Sequence, residues 1–196
     1  MRLESAADCV LQKMAEIEKQ PYPLIMAIDG RCAAGKTTLA AALGKALKCN
    51  VFHMDDFFLR PEQRTRQRLL RPGGNVDYER VREEILLPLA DGKSVEYRPY
   101  DCRSRRMMKP VSARPKAWNI VEGAYSCHPE LWDFYHLRIF LTLNAQEQRL
   151  RIQERNGVQR VREFSELWIP LEEAYFEAFQ IEKRVELRLE MESLGE

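Results

Sequence analysis

Several things are scarce in this 196-residue sequence, and each scarcity excludes a class of protein. No long hydrophobic run is present: the most apolar early stretch, "PLIMAI" at 23–28, falls far short of the ~20 residues that cross a bilayer. The opening "MRLESAADCVLQK" holds no unbroken apolar segment, so it does not read as a secretory signal. Net charge is nearly nil. Thirty-one Lys and Arg against thirty Asp and Glu leave +1, so no global field draws the chain to nucleic acid or to a membrane surface. Cysteine occurs at Cys9, Cys32, Cys49, Cys102 and Cys127, an odd count without C-x-x-C spacing. Neither a disulfide framework nor a zinc site is expected, and a reducing cytoplasm is the expected location. Histidine occurs only three times, without metal-ligand spacing. Internal repeats, low-complexity segments and linkers are lacking too. What is left is an ordinary composition, 45% hydrophobic and 31% charged with mean hydropathy −0.47, enough for one domain over 1–196 with a sizeable core.

Hydrophobic periodicity divides the chain into alternating strands and helices. Residues 5–19 are expected to form an amphipathic helix docked on the domain (residues 1–20), capped by Ser5 and facing inward with Ala7, Val10, Met14 and Ile17. Pro21 and Pro23 end it. "LIMAID" reads as a buried parallel strand, and "KTTLAAALGKALK" as an alanine-rich helix. "CNVFHMDD" is expected to be a strand ending in Asp55 and Asp56, and "DYERVREEILLPLA" a helix closed by Pro88 and "DGK". "VEYRPYDC" looks extended. "AWNIVEGAY" and "LRIFLTL" read as strands, "AQEQRLRIQERNG" as a helix, the segment around Pro170 as helical on both sides, and "RVELRLEM" as a last strand. The alternation predicts an α/β domain with a mainly parallel sheet of about five strands and helices on both faces.

Between the first strand and the second helix stands Gly30 to Thr37, "GRCAAGKT", which fits G-x-x-x-x-G-K-[ST]. Gly30 and Gly35 let the backbone of Arg31, Cys32, Ala33 and Ala34 curl so that its N–H groups face an anion. The helix beginning near Lys36, Thr37 and Thr38 adds its positive end. Lys36 is placed to reach the β- and γ-phosphates of a nucleotide, and the Thr37 hydroxyl to ligate Mg²⁺. A plain glycine turn would not account for a lysine and a threonine at those positions. Cys32, at a helix N-terminus, has the placement of a reactive thiol, or is simply a small tolerated side chain. GTPases need a base-reading N-K-x-D, which is absent, and the second acidic strand ends in one acid, "NIVEG", rather than the D-E of motor ATPases. In "VFHMDDFF" a carboxylate at a strand's carboxyl end would face the ligand crevice and accept the proton of an attacking hydroxyl. The bland reading has the acids as a helix cap and the aromatics as core. Strand alternation would send Asp55 and Asp56 to opposite sides and His53 to the side of Asp55, where it either tunes that carboxylate or is a packed structural histidine.

With these segments in hand, nearly all the chain after Pro23 resembles the uridine kinase family of P-loop nucleoside kinases. The resemblance runs in order through "DGRCAAGKTT", "MDDFF", "PGGNVDYERV", "YRPYDC", "IVEGAY", "RLRIQERNG" and "VELRL". It implies a three-layer P-loop fold and transfer of the ATP γ-phosphate, with Mg²⁺, to a nucleoside 5′-hydroxyl such as that of uridine or cytidine. Asp55 matches the general base and Glu122 the strand-end acid that helps hold Mg²⁺ beside Thr37 and Asp55. Phe57, Phe58, Asp77, Tyr100 and Glu122 match acceptor-pocket positions. Arg149, Arg151 and Arg155 fall in the helix and lid, about 149–163, whose arginines clamp phosphates, with Arg155 beside Lys36 in catalysis. Three departures stand out: Cys32 and Ala34 replace loop serines, Phe58 replaces a tyrosine, and Arg105 stands where a base-reading histidine is frequent. The alternatives are a kinase of the same fold for another acceptor, such as a sugar phosphate, vitamin precursor or nucleotide, and a nucleotide-binding regulator without phosphotransfer.

Arginine is concentrated in "RPEQRTRQRLLR", "RSRRMMKPVSARPK" and "RNGVQRVREF". Such stretches form either a solvated face or the lining of an anionic acceptor site, since arginine holds phosphate bidentately. A small-molecule partner is expected, without nucleic acid or membrane. Sequence leaves oligomeric state open.

Overall fold

The computed structural model describes residues 1–17, 21 and 23–192. In chain order the elements are α1 (Leu3–Ile17), β1 (Leu24–Gly30), α2 (Lys36–Leu47) and β2 (Asn50–His53), then α3 (Arg66–Leu69), α4 (Tyr78–Arg80) and α5 (Leu87–Ala90). Four short strands follow: β3 (Val95–Tyr97), β4 (Tyr100–Asp101), β5 (Arg106–Met107) and β6 (Val111–Ala113). The chain ends with β7 (Trp118–Glu122), β8 (Leu137–Thr142), α6 (Ala145–Asn156), α7 (Val158–Glu163), α8 (Ile169–Phe179), α9 (Ile181–Arg184) and β9 (Leu187–Glu190).

The central sheet has five strands in the order β2-β7-β1-β8-β9, and all four pairings are parallel. All seven residues of β1 are buried, as the near-continuous apolar run predicts for a strand covered on both faces. Alternation assigns its side chains to the two layers. Ile25 and Ala27 join Val81, Ile85 and Leu89 of the α4–α5 segment and Tyr175 and Phe176 of α8, while Leu24, Met26 and Ile28 join Val10 and Met14 of α1 and Leu39 and Leu43 of α2. The result is the expected α/β three-layer architecture. β3 with β6 and β4 with β5 form two antiparallel ladders outside the sheet, parted at Pro99.

Several local expectations change. α1 starts at Leu3, so Ser5 lies inside it rather than capping it, and its buried residues are Ala6, Val10 and Met14. The expected end of that helix at Glu18 and Lys19 lies outside the described residues. β2 stops at His53, and Asp55 and Asp56 sit in a 3₁₀ turn, Met54–Phe57, so strand alternation does not govern them. Pro88 does not close its helix. α4 passes through a π-helical stretch, Val81–Leu86, into α5, with Pro88 in the first turn of α5. α7 likewise runs through a π-helical stretch, Phe164–Trp168, into α8, with Pro170 near its start. A wider turn before each proline relieves the clash with the carbonyl four residues back, which is why both helices continue.

Candidate active site

The glycine loop is shaped by close approach and left-handed backbone. Gly30 has φ +133°, and a Cβ there would lie 2.0 Å from the Leu141 carbonyl oxygen of β8. Ala33 and Gly35 follow at φ +60° and +94°. Gly35 caps α2 without any side-chain hydrogen bond, so among the described residues no side chain caps that helix start. Lys36 Nζ donates to the carbonyls of Gly30 (2.6 Å) and Arg31 (3.0 Å), spanning its own loop. Thr37 and Thr38 stand on the first turn of α2, both exposed, with the Thr37 hydroxyl bonded to Glu122.

Four contacts brace this loop from behind. Arg31 makes a two-pronged pair with Glu173 (2.7 and 3.0 Å) and also reaches Thr142 and Glu182. Its backbone belongs to the loop, but its side chain is an anchor rather than a phosphate ligand. The Cys32 N–H donates to Glu172 Oε2 (2.8 Å), Gln148 Nε2 donates to the Cys32 carbonyl, and Arg151 leans on the Ala33 carbonyl. Burial, with Glu172 second, pushes the Cys32 thiol upward, opposite to the activated thiol that its helix-start position suggested. Asp29, buried at the end of β1, accepts from the N–H groups of Gly30, Tyr125 and Cys127 and from the Tyr175 hydroxyl, tying the loops after β1 and β7 to α8.

The carboxylates meet at the ends of β7 and β2. Thr37 Oγ1 lies 3.2 Å from both oxygens of Glu122, which is 4% exposed, and His53 Nδ1 lies 2.5 Å from Glu122 Oε1. The hydrogen bond to Glu122 raises the His53 pKa against the opposing effect of burial. Parallel register sets this pairing, because His53 and Glu122 are partners across β2 and β7. Asp55 is open to solvent at its surface but crowded by protein around it. That desolvation, with the Glu122 charge, raises its pKa, while Lys36, His53 and Arg155 pull it down. Arg155 also lies 3.8 Å from Cys32 Sγ. Lys36, Thr37, Asp55, Glu122 and Arg155 therefore converge.

The oxygen donors of Thr37 and Glu122, with Asp55 close by, suit Mg²⁺, a hard cation that keeps waters and takes phosphate oxygens. Among the described residues no three His, Cys, Asp or Glu side chains form a complete metal cage. A dedicated all-protein site, as for zinc, is accordingly not built by them.

Beside Asp55 opens a pocket of about 310 Å³, walled by Asp56, Phe58, Tyr100 and the Asp101–Arg103 turn. Of the expected acceptor residues, Asp55, Phe58 and Tyr100 line it. The others are placed differently. Phe57 is 1% exposed and stacks on Tyr97 at 5.3 Å with Arg80 over its ring, so it is core. Asp77 is buried as the N-cap of α4, accepting from the Arg80 N–H and from Gln63 Nε2. Arg105 is exposed at φ +55° in the β4–β5 turn, Arg149 is exposed on α6, and Arg151 pairs with Glu147. Glu122 belongs with Thr37 rather than in the pocket. In the segment expected to form a lid, Arg160 and Arg162 pair along the helix with Glu163 and Glu166, and Arg155 alone of the three turns toward the loop. The sequence reading missed Asp29 and Glu172, and named Arg103 only as part of the basic stretch "RSRRMMKPVSARPK". Asp29 carries a faint signal, an acid inside an otherwise apolar buried run. Glu172 carries none, since its partner lies 140 residues away.

No family model matches the chain. Among solved structures it is similar to a possible uridine kinase from Bacillus stearothermophilus, at 20% identity, TM-score 0.69, and 96% of this chain against 100% of that one. It is also similar to D-glycerate 3-kinase from Cryptococcus neoformans, at 16% identity, TM-score 0.70, and 98% against 97%. At such identities the likeness speaks for architecture, and it spans essentially the whole of each chain: this protein has the three-layer α/β fold of the uridine kinase-like P-loop kinases.

Proposed function

We propose that the protein is an ATP-dependent kinase of a small-molecule hydroxyl. The observation that carries this is that Lys36, Glu122 and Arg155 act on Asp55, Thr37 bonds to Glu122, and Asp55 also lines a pocket. A nucleotide-binding regulator needs the loop but not a crowded carboxylate that also lines a pocket. The similar structures described as a possible uridine kinase and a D-glycerate 3-kinase support the same reading.

In this reading the loop amides and the start of α2 hold the β- and γ-phosphates of ATP. Lys36 leaves the Gly30 and Arg31 carbonyls for phosphate oxygens, and Arg155 approaches from the lid. Thr37 and Glu122 would hold Mg²⁺, which supplies charge neutralisation on the phosphates when bound. Asp55 orients the acceptor hydroxyl and takes its proton as the oxygen bonds to the γ-phosphorus and the bond to the ADP oxygen breaks. A carboxylate with a raised pKa is a better proton acceptor near neutrality. A nucleoside acceptor would place its base between Phe58 and Tyr100, the two aromatic walls of the pocket. Phe57, Asp77 and Arg105 give that finer reading no support.

The test is ADP release from Mg·ATP over a panel of hydroxyl acceptors. Lys36→Ala is expected to lower turnover by about 10²-fold or more through loss of a preorganised charge. Asp55→Asn is expected to lower it by about 10²–10⁴-fold with ATP affinity nearly unchanged. Asp56→Asn, whose carboxylate accepts from the Tyr97 hydroxyl (3.3 Å), is expected to do much less. Wild-type turnover in a folded Lys36→Ala protein would exclude the mechanism.

A further inference from the structure

The pocket beside Asp55 is lined by an arginine whose guanidinium makes no hydrogen bond or ion pair among the described residues, although its charge is felt at Asp101. Arg103 shares the pocket with Asp55, Asp56 and Asp101, yet its guanidinium forms no hydrogen bond or ion pair with any of them. Each carboxylate is already engaged. Asp101 accepts the backbone N–H groups of Arg103 (3.0 Å) and Ser104 (3.1 Å), which fixes the turn that carries Arg103. Asp56 takes the Tyr97 hydroxyl, and Asp55 lies in the field of Lys36, His53 and Arg155.

Several neighbouring arginines differ from Arg103 in having such partners. Arg60 is bound to Gln63, Arg68 to Glu79, Arg80 to Glu84 and Arg98 to the Met108 carbonyl. Arg64, after the 3₁₀ turn Pro61–Gln63, forms no side-chain hydrogen bond or ion pair among the described residues, and the same holds for Arg66, Arg71, Arg105 and Arg106. It lies near enough to the pocket-lining Cys102 for its charge to be felt at that thiol, together with Asp101 and Asp55. Arg103 and Arg64 differ from the other unpaired arginines by their place: Arg103 lines the pocket, and the charge of Arg64 reaches the pocket-lining Cys102.

We propose that the acceptor carries an anionic group, a carboxylate or a phosphate, which Arg103 reads with support from Arg64 while Asp55 faces the hydroxyl. The proposal rests on the kinase reading above and names its substrate class. Arg103 is exposed at the edge of the pocket, where its guanidinium can make a charge-assisted contact to either anion. The charges are then separated in a useful way: the proton-accepting carboxylate is at the loop end of the pocket and the cation is on the Asp101–Arg103 turn, so an acidic acceptor can bind in only one direction.

The experiment measures ADP release and thermal shift with four probes: D-glycerate, D-ribose 5-phosphate, uridine and D-fructose. One of the two acids is expected to be used with kcat/KM at least about 10-fold above both neutral probes, and to raise Tm without ATP. The choice between D-glycerate and D-ribose 5-phosphate tells carboxylate from phosphate. Arg103→Gln is expected to raise KM for that acid about 10–100-fold and abolish its thermal shift, with the KM for ATP unchanged. Arg64→Gln should move the same quantities in the same direction by less. Preference for a neutral probe, an effect of Arg103→Gln on ATP instead of the acceptor, or the absence of both turnover and thermal shift with either acid overturns the proposal. Turnover of a neutral probe that depends on Lys36 and Asp55 would leave the kinase reading standing without it. Loss of the ATP-induced thermal shift and of all turnover would remove both.

Discussion

Gly30 and Gly35 bracket the same loop but answer to different constraints. At Gly30 a methyl group would strike backbone, the Leu141 carbonyl, in the middle of the sheet, and φ is +133°. At Gly35 no described atom lies within 4 Å, and only φ +94° opposes a side chain. Gly30→Ala is therefore expected to cost about 2–4 kcal/mol in urea unfolding, since neither strand can retreat without breaking the β1–β8 ladder. Gly35→Ala should cost less in stability and show mainly as weaker ATP binding. Equal loss of stability in the two variants would contradict this division. Both glycines were legible in the motif. That the first is also a packing requirement was not, because Leu141 is 111 residues away in the chain.

Among the elements, α8 is the neighbour that holds the phosphate loop. Two adjacent glutamates on it act together, Glu173 taking the Arg31 side chain and Glu172 the Cys32 amide. Glu172 is 7% exposed, and burial raises its pKa to about 7, against the pull of Lys36 and the Cys32 N–H, with Asp29 and Glu173 adding to the rise. A carboxyl whose folded pKa exceeds its unfolded value of 4.5 binds more protons in the folded state between those limits. Its contribution to stability is complete below pH 4.5 and is lost as pH rises through about 7. Glu172→Gln keeps an oxygen for Cys32 and removes the titration. Melting curves from pH 5 to 8 are expected to show the variant losing less stability than the wild type as pH rises. Parallel curves would mean that the Glu172 carboxyl keeps an ordinary pKa. No sequence pattern announced this role, because "PLEEAYFEAF" reads only as an amphipathic helix.

For the whole molecule, a ligand held by the phosphate loop of the folded chain selects the folded state. Mg·ATP at 100 times its dissociation constant is expected to add about 2.7 kcal/mol to stability, a rise in Tm of about 5–10 °C. Lys36→Ala should abolish most of that rise, read as the difference in Tm with and without Mg·ATP for each protein, because the free protein also loses the Lys36 charge beside Asp29, Asp55 and Glu172. An undiminished shift would mean that the nucleotide binds elsewhere. The central sheet explains why the local reading at Asp55 needed correction. β2 is a four-residue edge strand, and its chain turns into a 3₁₀ segment as soon as Glu122 of β7 has been matched to His53. Asp55 reaches the pocket by that turn rather than by strand alternation.

Whatever depends on neighbours along the chain could be read from the residues alone. Apolar runs specified β1, β7 and β8, an alanine- and leucine-rich run specified α2, and G-x-x-x-x-G-K-T specified a loop whose glycines must curl before a helix. Lys36 and Thr37 were named from that motif, and Asp55 and Glu122 from the family resemblance. Whatever depends on partners brought from afar was settled by packing. Folding put Phe57 into the core against Tyr97, spent Asp77 on a helix start and turned Arg31 and Arg151 into braces. It also left the Arg103 guanidinium at the pocket without a hydrogen bond or ion pair among the described residues. A backbone loop carries its conformational requirement in its own residues, whereas a charged or aromatic side chain takes its role from the groups that packing sets within a few ångströms of it, and those are not adjacent in sequence.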